Sequence, residues 1–137
     1  MQNSQSKKVP LDNNPNSLVS IFLDEGMEAK EEKGKRYPQV IYHLAMYLGQ
    51  TAKSDADYRR VSDICDEGRK VCIETGHLWF LPSILMVKAD ARLCIGDANG
   101  CKRLLVQSYH VLEACEMYRN MDIIKDYVVE KKLDIVF

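Results

Sequence analysis

The sequence predicts an all-α chain built as an α-solenoid, a stack of helix pairs with about six helices. Three observations carry this. A stretch is written twice, DEGMEAKEEKG at residues 24–34 and DEGRKVCIETG at residues 66–76, with an offset of 42 at both ends. Pro38 follows the first copy and Pro82 the second, so the turn after the second copy is longer by two residues. Kept punctuation with changed filler at such a period marks a repeat architecture. Apolar residues recur at i, i+3, i+4 and i+7, and no stretch alternates with the period of a strand. The helices also differ in charge. Residues 37–52 and 78–87 contain no Asp, Glu, Lys or Arg, whereas the segments before and between them are crowded with charge. A helix neutral on every side is enclosed and a charged amphipathic one covers it. Inner and outer helices alternating at this period describe a solenoid.

Residues 1–16, MQNSQSKKVPLDNNPN, are polar, carry Pro10 and Pro15, and read as a flexible lead-in or linker. The repeat domain is expected over 17–137. A first helix over 17–33 starts from Ser17 as N-cap, carries Val19, Phe22, Leu23 and Gly26 on one stripe, and ends at Gly34. The second spans 37–51, with Pro38 in its first turn, where a missing N–H does no harm. The third, 55–75, is capped by Ser54 or Asp55 and ended by Gly76; the fourth, 79–95, has Pro82 near its start. The last two span 98–118 and 120–133, the final one capped by Asn120. Each Gly of the repeated phrase ends a helix, each Pro starts the next, and each DEG marks a close packing point.

Composition narrows the function. The 137 residues are 46% hydrophobic and 28% charged, as in an ordinary soluble globular chain. A net charge of −1 leaves no excess of cations to neutralise phosphates, so neither nucleic acid nor a membrane surface is an expected partner. No apolar run is long enough to span a bilayer, and no apolar segment follows the N-terminal lysines as a secretory signal requires. Five cysteines, Cys65, Cys72, Cys94, Cys101 and Cys115, are scattered without CxxC pairing, and free thiols in a reducing cytoplasm are expected. His43, His77 and His110 lack cysteines at ligand spacing, so no metal is expected. No nucleophile elbow supports a Ser-His-Asp or Cys-His arrangement, and Gly96 and Gly100 lack the Lys-Ser/Thr ending of a phosphate loop. Neither an enzyme nor a cofactor is expected.

Ile41, Leu44, Ala45 and Leu48 follow the pattern large, Leu, small, large at i, i+3, i+4 and i+7. In the next unit Leu85 and Ala89 keep it, while Lys88 and Arg92 depart from it. Gly96 lies seven residues after Ala89, and Cys101, Leu105 and Ser108 follow as small, large and small. Val61, Cys65 and Gly68 have the same mutual spacing, displaced by four residues. This pattern resembles the tetratricopeptide repeat. The phrases RYPQVIYHLAMYLG, ICDEGRKVCIETG and FLPSILMVKADARLCIGD are similar to the C-terminal part of bacterial regulators in which a helix-turn-helix domain precedes such repeats. The resemblance covers residues 17–133 and implies a domain that senses a ligand, often a short signalling peptide, and supports dimerisation. The DNA-reading module has no match in this chain.

With Ile41, Leu44, Ala45 and Leu48 turned to the paired helix, the opposite stripe is Gln39, Tyr42, His43 and Met46. Its counterpart in the next neutral helix is Ser83, Met86, Val87 and Asp90. A wall of aromatic, Met and small polar residues suits an extended peptide, with Gln, His and Asp free to bond its backbone or amino terminus. Packing against a neighbouring repeat is the commoner fate of such a stripe. Trp79 and Phe80 are expected to anchor stacked repeats. The last helix carries Ile123, Ile124, Tyr127 and Val128, and the chain ends in Ile135-Val136-Phe137. Either this apolar end folds back on the face of Val111, Leu112 and Cys115, or it meets a second chain. A two-fold homodimer is expected there, because the resembled family is dimeric. The different-class alternative is a structural dimerisation scaffold without a small ligand.

Overall fold

The computed structural model describes residues 36–137, which are helical without any strand. Five helices follow one another: α1 (Arg36–Thr51), α2 (Asp55–Thr75), α3 (Leu81–Cys94), α4 (Ala98–Ala114) and α5 (Tyr118–Glu130). The expected helix over 17–33 and the lead-in over 1–16 lie outside the described residues, so about six becomes five among those described. No helix among the described residues is long and apolar enough to cross a membrane.

The boundaries have local causes. Ser54 caps α2: its Oγ accepts from the Asp57 N–H at 3.2 Å, and the Asp57 carboxylate in turn accepts from the Lys53 N–H at 2.9 Å. Two helix-end donors are satisfied reciprocally. Gly76 ends α2 in the left-handed conformation, φ 74°, with its N–H donating to the Cys72 carbonyl. Residues 79–80 form a turn, so α3 opens at Leu81 with Pro82 in its first turn, slightly later than the sequence suggested. One six-to-one backbone bond then recurs at three helix ends: Asp97 N–H to Arg92 O, Met117 N–H to Leu112 O, and Leu133 N–H to Val128 O. Gly96 supplies the left-handed residue at the first of these, but Glu116 and Lys132 supply it at the others. For that reason α4 stops at Ala114 instead of 118, and Asn120 sits inside the first turn of α5 without capping it.

Asp97 ties α3 to α4. Its carboxylate caps α4 by accepting from the Gly100 N–H at 2.9 Å and also accepts from Arg92 Nε at 3.0 Å. The Gly100 bond and then the Arg92 side chain hold this carboxyl below the usual carboxylate range. In the unfolded chain Asp97 takes up a proton more readily, so acid favours unfolding. Its contribution is complete above about pH 4 and is lost as pH falls through the depressed folded value. Asp97→Asn is therefore expected to lower the melting temperature at neutral pH and to flatten its decline below about pH 4. Thermal melts of both proteins across that range check the sign.

Packing is sequential, α1 on α2, α2 on α3, α3 on α4 and α4 on α5, with α1 also touching α3. One core gathers Ile41, Leu44, Ala45 and Leu48 of α1 with Val61, Cys65 and Cys72 of α2 and Ile84 and Leu85 of α3. The other joins Ala89, Cys101, Leu105, Leu112, Met121 and Ile124. Gly68 is where α2 meets both neutral helices. A Cβ there would stand 2.5 Å from Ile41 Cγ2 and 3.1 Å from Ile84 Cδ1. That answers why the second DEG ends in glycine: the helices approach too closely for a side chain. Across the next contact, the buried Ser108 hydroxyl donates to the Pro82 carbonyl at 2.9 Å.

Candidate functional site

α1 beyond Arg36 and the first half of α3, residues 81–87, carry no Asp, Glu, Lys or Arg; the two helices pack together, and their faces border a groove of about 420 Å³. Its walls come from four helices: Tyr42 and Met46 of α1, Tyr58 and Val61 of α2, Ser83, Met86 and Asp90 of α3, and Asn120 and Ile123 of α5. Of the seven ligand-contact candidates, Tyr42, Met46, Ser83, Met86 and Asp90 therefore meet at one surface, joined by Val87. Gln39 and His43 do not line it. Gln39 is exposed beside a separate depression formed with Pro38 and the Gly76–Phe80 turn. His43 is exposed, and its ring tilts against that of Tyr42 at 5.2 Å. Phe80 is the second ring against Tyr42, at 5.7 Å. Phe80 thus anchors the turn before α3 to α1, while Trp79 is 70% exposed.

Tyr58 and Val61 were within reach of sequence reasoning. Tyr58 lies one turn ahead of the Val61, Cys65 and Gly68 stripe, on the same face of its helix. Nothing local points to Asn120 and Ile123, which reach the groove only because α5 folds back toward α3.

Among the described residues, Asp90 is the single charged one lining the groove. Its Oδ1 accepts from the Tyr127 hydroxyl at 2.7 Å. Burial raises the Tyr127 phenol well above its ordinary value, and the bond to Asp90 raises it further, so this hydroxyl stays a donor. The polar side of α3 is handled differently. Lys88 pairs with Asp66 of α2 at 2.6 Å, and Arg92 pairs with Asp97 at 2.9 Å. These two departures from the repeat pattern thus form half-buried ion pairs bordering a separate polar hollow. Burial pushes the Cys65 thiol up to about 12, and Cys72 and Cys101 up to about 11. They remain protonated near neutrality, and the thiol form is a poor nucleophile and metal ligand. Among the described residues, no three His, Cys, Asp or Glu side chains gather in a way that holds a metal ion.

The four residues singled out for dimerisation separate. Ile124 is fully buried, and Tyr127 and Val128 are half-buried against the same core. Only Ile123 is exposed, at 56%, and it lines the groove. The apolar tail folds back: Leu133, Ile135 and Phe137 pack against the core that holds Leu112 and Ile124, and Phe137 stacks on Tyr109 at 4.3 Å. Val111 packs against the other core and Cys115 is exposed. A Glu at position 124 or 128 would therefore disturb this end of the fold itself. The chain matches no family model, no curated protein and no solved structure.

Proposed function

We propose that this chain is a tetratricopeptide-like repeat domain, stacked as an α-solenoid, that binds a short peptide or protein segment in the groove between α1 and α3. One observation carries the reading. Among the described residues, no helix fills the space bordered by the stripe of Tyr42, Met46, Ser83, Met86 and Asp90. Two tyrosines supply rigid contact area, two methionines adapt to shape, and one carboxylate fixes polarity. The resemblance to repeat-bearing bacterial regulators supports a role as the regulatory part of a transcription regulator, the DNA-reading module having no match in this chain. Five free cysteines suit a reducing cytoplasm.

Tyr42→Ala is expected to weaken binding of mixed-sequence apolar pentapeptides by about tenfold, since a large aromatic anchor contributes on the order of 1–2 kcal/mol. The fold is expected to persist, because Tyr42 is only half-buried. Calorimetric titration beside thermal melts separates the two effects. Equal affinity for both proteins removes the groove from the reading.

A homodimer is the second reading, favoured by Tyr118 and Val129, exposed apolar residues on α5 at 59% and 77%. Sedimentation at tens of micromolar decides it.

A further inference from the structure

Resting on the groove reading above, we propose that Asp90 receives the free α-ammonium of a short apolar peptide, which sets the chemical class and the direction of the bound ligand. Among the described residues, the walls are mainly Tyr, Met, Val, Pro and Ile with a few neutral polar groups, and they contain one charge. Tyr127 occupies Oδ1 with a neutral hydroxyl at 2.7 Å, and among the described residues no cation pairs with Asp90. By contrast, two other acids near α3, Asp66 and Asp97, are matched by Lys88 and Arg92. A half-buried carboxylate, oriented by one hydrogen bond and facing an apolar groove, is complementary to a single ligand cation.

The surroundings favour an α-ammonium over a lysine side chain. Met86 and Val87 stand one helical turn before Asp90, about 5–6 Å away at their Cβ atoms, and Ile123 of α5 lines the same groove. An α-ammonium carries its own side chain on the adjoining carbon, so the charge and the first apolar group reach these walls together. A lysine ammonium stands four methylenes from its backbone and would hold the peptide chain away from them. The carboxylate also lies where α5 joins the groove, as the Tyr127 bond and the Asn120 and Ile123 walls mark. A chain end fits beside such an added wall.

The test uses pentapeptide amides of mixed Ala, Val, Leu, Ile and Phe sequence, in three forms: free amino terminus, acetylated, and acetylated with one internal lysine. Calorimetric titration of the unaltered chain is expected to show the free-amine pool binding about tenfold or more tighter than the acetylated one, as suits one charge-assisted hydrogen bond. Asp90→Asn, which keeps an acceptor for Tyr127, is expected to abolish that difference. Equal binding of free and acetylated pools overturns the proposal while leaving the groove reading intact. So does an acetylated lysine pool that matches the free-amine pool. Binding of no pool at all ends both readings together.

Discussion

Ala89→Leu and Ala45→Leu are each expected to destabilise the fold by about 1–3 kcal/mol through overpacking. Both alanines are fully buried, at 0% exposure, and they lie in different cores. Ala45 sits among Ile41, Leu44 and Leu48 on the face of α1 turned toward α2, and Ala89 joins Cys101 and Leu105 of α4. Their small size sets how closely the neutral helices approach their charged neighbours, an approach of about 8–10 Å that short side chains permit. Three added carbons at either position must displace a neighbouring backbone or force an unfavourable rotamer. Because the two sites do not share a core, their costs are expected to add. Urea denaturation of the single and double variants measures this, and unchanged midpoints in both singles would remove the assigned repeat register.

The second large effect is a difference of sign between two glycines on helices that touch. In a helix interior, replacing Gly by Ala ordinarily gains about 1 kcal/mol, because alanine has less backbone freedom to lose on folding. Among the described residues, nothing lies within 4 Å of where a Cβ on Gly49 of α1 would stand, so Gly49→Ala is expected to raise the melting temperature. At Gly68 the same methyl group would meet Ile41 Cγ2 at 2.5 Å. That atom is attached directly to the Cβ of a side chain only 2% exposed, so it cannot swing away alone. Gly68→Ala is expected to lose about 1–2 kcal/mol net, the overpacking cost exceeding the propensity gain. In a domain of about 100 described residues, each kcal/mol moves the melting temperature by roughly 4–8 °C. Stabilisation by Gly68→Ala would show that α2 does not pack closely on α1 and α3.

Much of this architecture was legible because it is written in local chemistry. Ser54, Gly76, Pro82 and Gly96 each leave a short-range signature, and the helix ends they mark fall within a residue or two of the observed positions. The buried faces were legible too: Ile41, Leu44, Ala45, Cys101, Leu105 and Ser108 sit at the spacing that helical geometry imposes, and all are buried. The end of α4 was not legible, since Glu116 adopts the left-handed conformation without the glycine that usually announces it. Gln39 and His43 share a helical stripe with Tyr42 and Met46, yet both are exposed and neither lines the groove; Gln39 borders the separate depression beside the Gly76–Phe80 turn. The fate of the final helix was also hidden. Apolar residues facing a partner chain and apolar residues facing a returning tail have the same spacing, and only the placement of Phe137 on Tyr109 distinguishes them.

Hydrogen exchange with and without the free-amine pentapeptide pool tests the central claim most directly. Peptide seated in the groove is expected to slow exchange in two separated segments, residues 42–50 of α1 and residues 83–91 of α3, with a smaller effect at residues 120–123 of α5. The outer stretch of α2 that carries Asp63, Arg69 and Lys70 is expected to exchange unchanged. Protection confined to α2 and α4, or none at saturating peptide, would contradict a binding groove between the two neutral helices.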